Sequence, residues 1–576
     1  MYKYLMTSDL LKYLTYKEKV KMCFLLIFIF FGTILEVLGY ALIIPILTII
    51  IKSKSALLEF SLIQNNQVFS EYLLITSEKT LIIHALFLMV IFFFIKSFLL
   101  ISLMFFRETY FFNIKARLSK FFFQKYILKS YPEFIKNNSS FYITNILNEV
   151  AMFVEKRIRS VIYILNEILI ILFFFVSLML INLQFTLTMF LIFSFILFTF
   201  LFYTKKINFR YANQRQLYDF KQIKDLNESF TLFKYLKIHH LEKIFFDRFS
   251  HSNKQVNNAG KFEIILNELP KNIFELASIL TIFFAILFFF SNDGMLIDII
   301  PFLGFLVLAI GRMIPSLTRI SNSLQSYRFS EPALKVLNNE IILEGEKNFF
   351  DFKNKIPNKL LSIKLDNISF NYDKKSILKN VSLELKKKYI YGITGETGSG
   401  KTTLIDIIVG LHGNYTGNIF LNDKKLTKPL YQSMNIAYVP QNIFLVDDTI
   451  KNNILINKLE NKTISLDEIN RAINTACLDD FLSKLDNGVE TLIGENGVSI
   501  SGGQKQRIGL ARSLINKPDL LILDEATNAL NHEVSNKIIK NLKNYDMSIL
   551  IISHNKEIIK NCDKILHLKN GNIKIL

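Results

Sequence analysis

The run YIYGITGETGSGKTTLIDIIVGL, from Tyr389 to Leu411, sets a glycine-rich turn between a β-branched apolar stretch and a segment whose Leu404, Ile407, Ile408 and Leu411 share one helical face. Gly395, Gly400, Lys401 and Thr402 fit the spacing G-x-x-x-x-G-K-T in the strand, loop and helix context that gives the spacing its meaning. Glycines at 395, 398 and 400 let successive backbone amides converge on phosphate oxygens, at a helix start whose dipole favours negative charge. Glu396, Thr397, Ser399 and Thr403 fill out the loop and the first helical turn. Lys401 is expected to reach the β- and γ-phosphates of a nucleotide, and the Thr402 hydroxyl to ligate Mg²⁺.

Hydrolysis needs carboxylates beside that loop. In LLILDEAT, Leu520 to Leu523 read as a buried strand that delivers Asp524 to the metal, and Glu525 follows immediately. A carboxylate there is placed to polarise a water for in-line attack on the γ-phosphate. A further stretch, VSISGGQKQRIGLAR from Val498 to Arg512, looks built to hold phosphate through its Ser-Gly-Gly-Gln core, although a complete phosphate loop lies upstream.

These groups need an α/β scaffold, and from about Leu361 onward β-type runs do alternate with helical patterns. The preceding half is of another kind. Hydrophobic residues make up 51% of the 576, yet the long apolar runs fall almost wholly before residue 315, so the chain divides into a membrane half and a soluble half. Six segments are long enough to span a bilayer: Cys23 to Ile51, Leu81 to Met104, Val161 to Ile181, Phe185 to Tyr203, Ile273 to Phe290 and Leu296 to Ile314. The expected organisation is a six-helix, all-α transmembrane domain over residues 1–335, a linker over 336–360 and an α/β P-loop domain over 361–576.

The net charge of +19 is compatible with nucleic acid or with a membrane surface. Its distribution favours the membrane. Lys and Arg crowd Arg107–Ser160 and Lys205–Lys271, are absent from the short connections at 182–184 and 291–294, and are sparse over 52–79. Both termini and the P-loop domain are therefore expected in the cytoplasm, and no role in nucleic-acid binding is expected. The basic lead-in MYKYLMTSDLLKYLTYKEKVKM shows no cleavable signal. The two basic segments carry apolar residues at helical spacing, as in Leu118, Phe121, Phe122 and Tyr126, and read as hairpins that project past the bilayer and turn near KSYPEFIKNNSS and TLFKYLKIHH. The alternative is that they lie on the membrane surface. Over 52–79 the pattern suits a short amphipathic helix on the opposite side. Cys23, Cys477 and Cys562 match no metal or redox spacing and read as reduced thiols.

In order and spacing these elements resemble the nucleotide-binding domain of ABC transporters over the whole of 361–576. The resemblance implies that Tyr372 of SFNY stacks on adenine, that Gln441 of YVPQ senses metal and water, and that His554 of IISH is the γ-phosphate switch histidine. It makes ISGGQ the family signature, with Ile500 for the usual Leu, and places Glu495 of IGENG in a segment that touches the membrane domain. It also accounts for the second phosphate element: Ser501, Gly502, Gly503 and Gln504 would close over the ATP of a neighbouring copy. One chain then carries one of each half-site and works as a homodimer. Asn528-Ala529-Leu530-Asn531 stands where the family commonly shows Ser-Ala-Leu-Asp, a lost carboxylate expected to slow communication between the two sites, while Glu525, His554 and the signature are intact and hydrolysis is expected at both.

Six spans with long hairpins and a fused C-terminal nucleotide domain form the exporter-type arrangement. The finer resemblance, carried by ILEVLGYALIIPIL, LAIGRMIPSLTRI and YVPQNIFLVDDTIKNNI, is to PglK-like lipid-linked oligosaccharide flippases, and implies ATP-driven flipping of an undecaprenyl-pyrophosphate-linked glycan across a bacterial inner membrane. Lys96 and Arg312 are candidates to meet the pyrophosphate, with snorkelling toward the interface as the alternative. Glu36, Glu167 and Glu275 read as structural hydrogen-bonding groups. Export of a peptide, drug or lipid, or ATP gating of a channel, are the rival readings.

Overall fold

The computed structural model describes residues 11–41, 75–179, 183–291, 296–341, 360–372, 375–456, 464–494, 497–527 and 529–576. The chain divides into two compact units, Met1–Lys129 with Lys136–Phe349, and Ser130–Ile135 with Phe350–Leu576.

The first unit is helical. Its long elements are α1 (Tyr16–Ala41), α2 (Glu78–Ile127), α4 (Arg159–Met179), α5 (Leu183–Thr231), α6 (Glu242–Ser291) and α7 (Leu296–Phe329), followed by α8 (Glu331–Ile341); α3 is the one-turn helix Tyr131–Phe134 of the second unit. Helices α2, α5 and α6 run for 50, 49 and 50 residues. At 1.5 Å per residue each is about 75 Å long, more than twice the ~30 Å of a hydrocarbon core. Such helices must continue well beyond the bilayer, as the basic composition of their distal halves requires. Among the described residues, Glu78–Ile127, Ser139–Val176 and Thr186–Thr231 contain stretches apolar and long enough to cross a membrane. Phe94 and Phe105 of α2 are 77% and 75% exposed, as suits a lipid-facing surface. The end of the first expected span, most of the expected amphipathic helix and the connections at 182 and 292–294 lie outside the described residues.

In the distal half of α2 the apolar stripe has a definite partner. Tyr110, Phe111, Ile114, Leu118, Phe122 and Tyr126 recur once per turn and pack on Val150, Phe153, Val154, Leu334 and Leu337. The stripe is thus committed to helix packing, which favours projecting hairpins over surface-bound helices. Short π-helical turns at Asn145–Glu149 and Phe153–Ile158 bring Glu149 to Arg215, with Nη1 donating to Oε1 at 2.9 Å. In the apolar part, Arg319 of α7 donates from Nη2 to Oε2 of buried Glu167 on α4 at 3.0 Å. Glu167 is the structural hydrogen-bonding group expected from sequence, and Arg319 is its partner.

The second unit holds two sheets. Antiparallel β1 (Ser362–Tyr372), β2 (Lys375–Lys386), β4 (Thr416–Leu421) and β5 (Lys424–Lys425) are ordered β2-β1-β4-β5. The larger sheet runs β10-β9-β3-β8-β7-β6, from β3 (Ile390–Thr394), β6 (Ile436–Val439), β7 (Leu520–Asp524), β8 (Ser548–Ile552), β9 (Lys564–Lys569) and β10 (Asn572–Ile575). Strands β7 and β8 are buried at every residue, the continuous apolar reading of a parallel strand covered on both faces. Pairing is parallel from β9 through β3, β8 and β7 to β6, so the carboxyl ends of these strands lie along one edge. Ligands of open α/β sheets bind beyond that edge.

Candidate nucleotide site

Strand β3 ends at Thr394 and the loop from Gly395 leads into α9 (Lys401–Val409). Gly400 has φ +102°, and a Cβ there would come within 3.0 Å of Ile377 Cγ2, so the tight entry to the helix requires glycine. Lys401 is 8% exposed, and its Nζ donates to the carbonyls of Gly395 at 2.8 Å and Glu396 at 3.0 Å. The ammonium is thereby fixed against the loop it serves. Glu396, Thr397, Gly398 and Thr402 are exposed, while the hydroxyl of Ser399 is buried without a hydrogen-bond partner among the described residues. A buried hydroxyl left unsatisfied among convergent amides fits a phosphate oxygen.

Three more strand ends bring their residues to the same edge. Asp524 closes β7 and Glu525 follows it with φ 51°, a left-handed conformation rare for a non-glycine residue and characteristic of functional turns. Gln441, just beyond β6, donates from Nε2 to Glu525 Oε2 at 2.9 Å, and His554, just beyond β8, places Nε2 at 3.4 Å from Glu525 Oε1. The three residues proposed for catalysis therefore meet on one carboxylate. Asp524 is buried and accepts a 2.9 Å hydrogen bond from the Tyr438 hydroxyl. Burial pushes its carboxyl above the usual range; the Tyr438 bond opposes this, Glu525 beside it adds to it, and Lys401 opposes it. Thr402, Asp524 and Gln441 offer few, hard oxygen donors, the set that suits Mg²⁺, which retains waters and phosphate oxygens in its shell.

The aromatic and signature elements are built as local units. Tyr372, at the end of β1, is 44% exposed, and its hydroxyl lies 2.8 Å from Nε2 of His412. Ser501 caps α10 (Gly502–Leu514): its Oγ accepts from the Gln504 amide at 3.3 Å, and Gln504 Oε1 accepts from the Ser501 amide at 2.7 Å. Ser501 and Gly502 are exposed, and Gly503 packs so closely on the Ala529 carbonyl that a Cβ would lie 2.9 Å from it. Asn531 caps α11 (His532–Leu542), its Oδ1 accepting from the Val534 amide at 2.9 Å. Glu495 and Asn528 lie outside the described residues.

Two functional neighbours escape a reading of motifs. Tyr438 stands inside YVPQ, but its bond to Asp524 follows from the parallel register of β6 on β7, in which Tyr438 pairs with Ile522. His412 follows α9 in a loop of no motif and is recognisable only from its 3% exposure. Of the residues proposed to meet substrate, Lys96 is buried on α2 with Nζ over the Phe93 ring at 4.7 Å, beside Gly39 of α1. The side chain of Arg312 lies outside the described residues.

Residues 378–528, within the P-loop unit, match the ABC transporter family. Among curated relatives, the chain is similar to an ATP-dependent lipid A-core flippase of Photorhabdus laumondii, 36% identical over 46% of each chain. It is also similar to the leukotoxin translocation ATP-binding protein LktB of Mannheimia glucosida, 32% identical over 46% of this chain and 37% of that one. The chain thus spans less than half the length of these relatives. Its fold is that of a bacterial Atm1-family ABC exporter solved with ATP bound, with a TM-score of 0.74 over 97% of this chain and 94% of that one, at 18% identity.

Proposed function

We propose that the chain is one half of an ATP-driven exporter, embedded in the bacterial inner membrane by its apolar helices with both termini and the P-loop unit in the cytoplasm. The observation that carries this reading is the meeting of Gln441 and His554 on Glu525, at the strand edge that also presents Lys401 and Asp524.

In the proposed reaction the loop amides and Lys401 hold the β- and γ-phosphates. Thr402, Asp524 and Gln441 would hold Mg²⁺, which when bound offsets charge on the phosphate oxygens. Glu525, oriented by Gln441, accepts a proton from the water that attacks the γ-phosphorus as the bond to the ADP oxygen breaks. His554 donates toward the γ-phosphate oxygens. The exposed start of α10 at Ser501 and Gly502 serves the nucleotide of a second copy, so that turnover belongs to a homodimer.

The proposed cargo is an amphipathic lipid with an anionic headgroup, a lipid-linked oligosaccharide in particular. Support comes from the first- and sixth-span sequences and from the presence of a lipid A-core flippase among the relatives. Reconstitution into liposomes tests it: ATP-dependent translocation of a polyprenyl-pyrophosphate glycan is expected. Translocation of lipid A or of peptides in its place would redirect the substrate assignment, and no ATP-dependent movement of any of them would end the exporter reading.

A further inference from the structure

His412 sits at 3% exposure where the helix behind the phosphate loop ends. Its Nε2 lies 2.8 Å from the Tyr372 hydroxyl and 3.8 Å from Asp406 Oδ2 of α9. The imidazole is surrounded by rings: Phe370 at 5.1 Å, Tyr372 at 5.5 Å, and Tyr131 at 6.0 Å in a T-shaped contact. Tyr131 comes from the turn Ser130–Ile135, which clusters with the nucleotide-binding unit. A buried imidazole whose polar atom meets one tyrosine hydroxyl and one carboxylate has few alternative orientations.

We infer that His412 is the positioning residue for the nucleotide base, clamping Tyr372 by its hydroxyl so that the exposed ring face is presented at a fixed distance from the phosphate loop. The clamp is rigid because one short helix connects the two ends. Lys401 opens α9 at the phosphates, and the backbone amides of Gly410 and Leu411 close it on the Asp406 carbonyl, immediately before His412. Base and phosphate ends of the nucleotide are thus held by one rigid body. The same imidazole touches Tyr131, so the turn Ser130–Ile135 reads the position of the base platform directly. Nothing in the phosphate-loop or signature chemistry requires a histidine here, which makes this a property of this chain's own residues.

The inference rests on the ATP-binding reading proposed above, and the test separates the two. Full-length protein in lipid nanodiscs is titrated with ATP and with inorganic tripolyphosphate, in wild type and in Tyr372→Phe, His412→Leu, His412→Gln and Lys401→Ala. Tyr372→Phe keeps the ring and removes only the hydroxyl, so it reports on the clamp without disturbing the core. Tyr372→Phe and His412→Leu are expected to weaken ATP about five- to tenfold, the worth of one hydrogen bond, while leaving tripolyphosphate unchanged. The double variant is expected to lose no more than either single one, and His412→Gln to recover part of the affinity. At saturating ATP the amides of Ser130–Ile135 are expected to gain protection from hydrogen exchange in wild type and not in His412→Leu. Unchanged ATP affinity in both single variants, or an equal loss for ATP and tripolyphosphate, overturns the clamp. Equal protection of the turn in both proteins overturns its link to Tyr131. Absence of ATP binding in wild type, with Lys401→Ala indistinguishable from it, overturns the ATP reading itself.

Discussion

Gln441 and Glu525 meet at 2.9 Å although 84 residues separate them, and the bond leaves the Glu525 carboxylate held from both sides, by Gln441 Nε2 and by the His554 imidazole. Replacing Glu525 with Gln keeps the shape and removes the proposed base. Phosphate release is expected to fall about 10²- to 10⁴-fold while ATP still binds, and paired chains should accumulate in cross-linking. Release at the wild-type rate would assign the base elsewhere.

Tyr438 supports Asp524 through its hydroxyl. The Tyr438→Phe variant leaves a buried carboxylate short of one partner, and loss of an outer hydrogen bond to a metal ligand typically costs about tenfold or more in metal affinity. ATPase activity measured against Mg²⁺ concentration is expected to shift to higher Mg²⁺ by about that factor, with the rate at saturation little changed. A lower plateau with an unmoved midpoint would give Tyr438 a different role.

Burial holds the Asp524 carboxyl above its usual range. A carboxyl with a raised folded pKa binds more protons in the native state, so its contribution to stability declines as pH rises from the unfolded value through the folded one. Asp524→Asn removes that charge. Nucleotide-free Asp524→Asn is therefore expected to melt above wild type at neutral pH, and the difference to shrink as pH falls through the same interval. A difference that does not vary with pH would point to packing instead.

Asn531 stands where the resemblance to ABC transporters leads one to expect a carboxylate, and it caps α11 through Oδ1. Asn and Asp cap equally well, while Ala costs about 1 kcal/mol, or roughly 2–4 °C in a domain of this size. Thermal unfolding should accordingly show Asn531→Ala lowered by that amount and Asn531→Asp unchanged. Should Asn531→Asp raise ATPase cooperativity without moving the melting temperature, the missing carboxylate acts between the two sites and not on the helix.

Glu167 and Arg319 join α4 to α7. Removing Arg319 alone leaves a buried carboxylate uncompensated, at a cost of about 3 kcal/mol for a pair that is buried on one side. Melting in detergent is expected to drop strongly for Arg319→Ala and much less for Glu167→Gln with Arg319→Gln together. Equal losses in the two proteins would show that packing, and not pairing, joins these helices.

The local structure around the motifs was legible in the sequence because each carries its own context: the loop from Gly395 follows a strand and opens a helix, and Asp524 ends an apolar run. The helical unit was legible through periodicity, as in Leu118, Phe122 and Tyr126. What remained hidden depends on register and packing. Tyr438 reaches Asp524 only because β6 lies beside β7. The partner of Glu167 stands 152 residues away, on a helix whose rotation no local pattern dictates. His412 lies in a loop of no motif, and only its burial among Phe370 and Tyr372 of β1 and Tyr131 of the Ser130–Ile135 turn reveals it.

The length of α2 has a mechanical consequence. A continuous helix of 50 residues behaves as a stiff rod of about 75 Å, and leaning such a rod by only about 5° sweeps its tip through roughly 6 Å, more than one helical pitch. A large stroke at one end of the helix therefore needs no unfolding or bending at the other, and a small tilt is delivered as leverage.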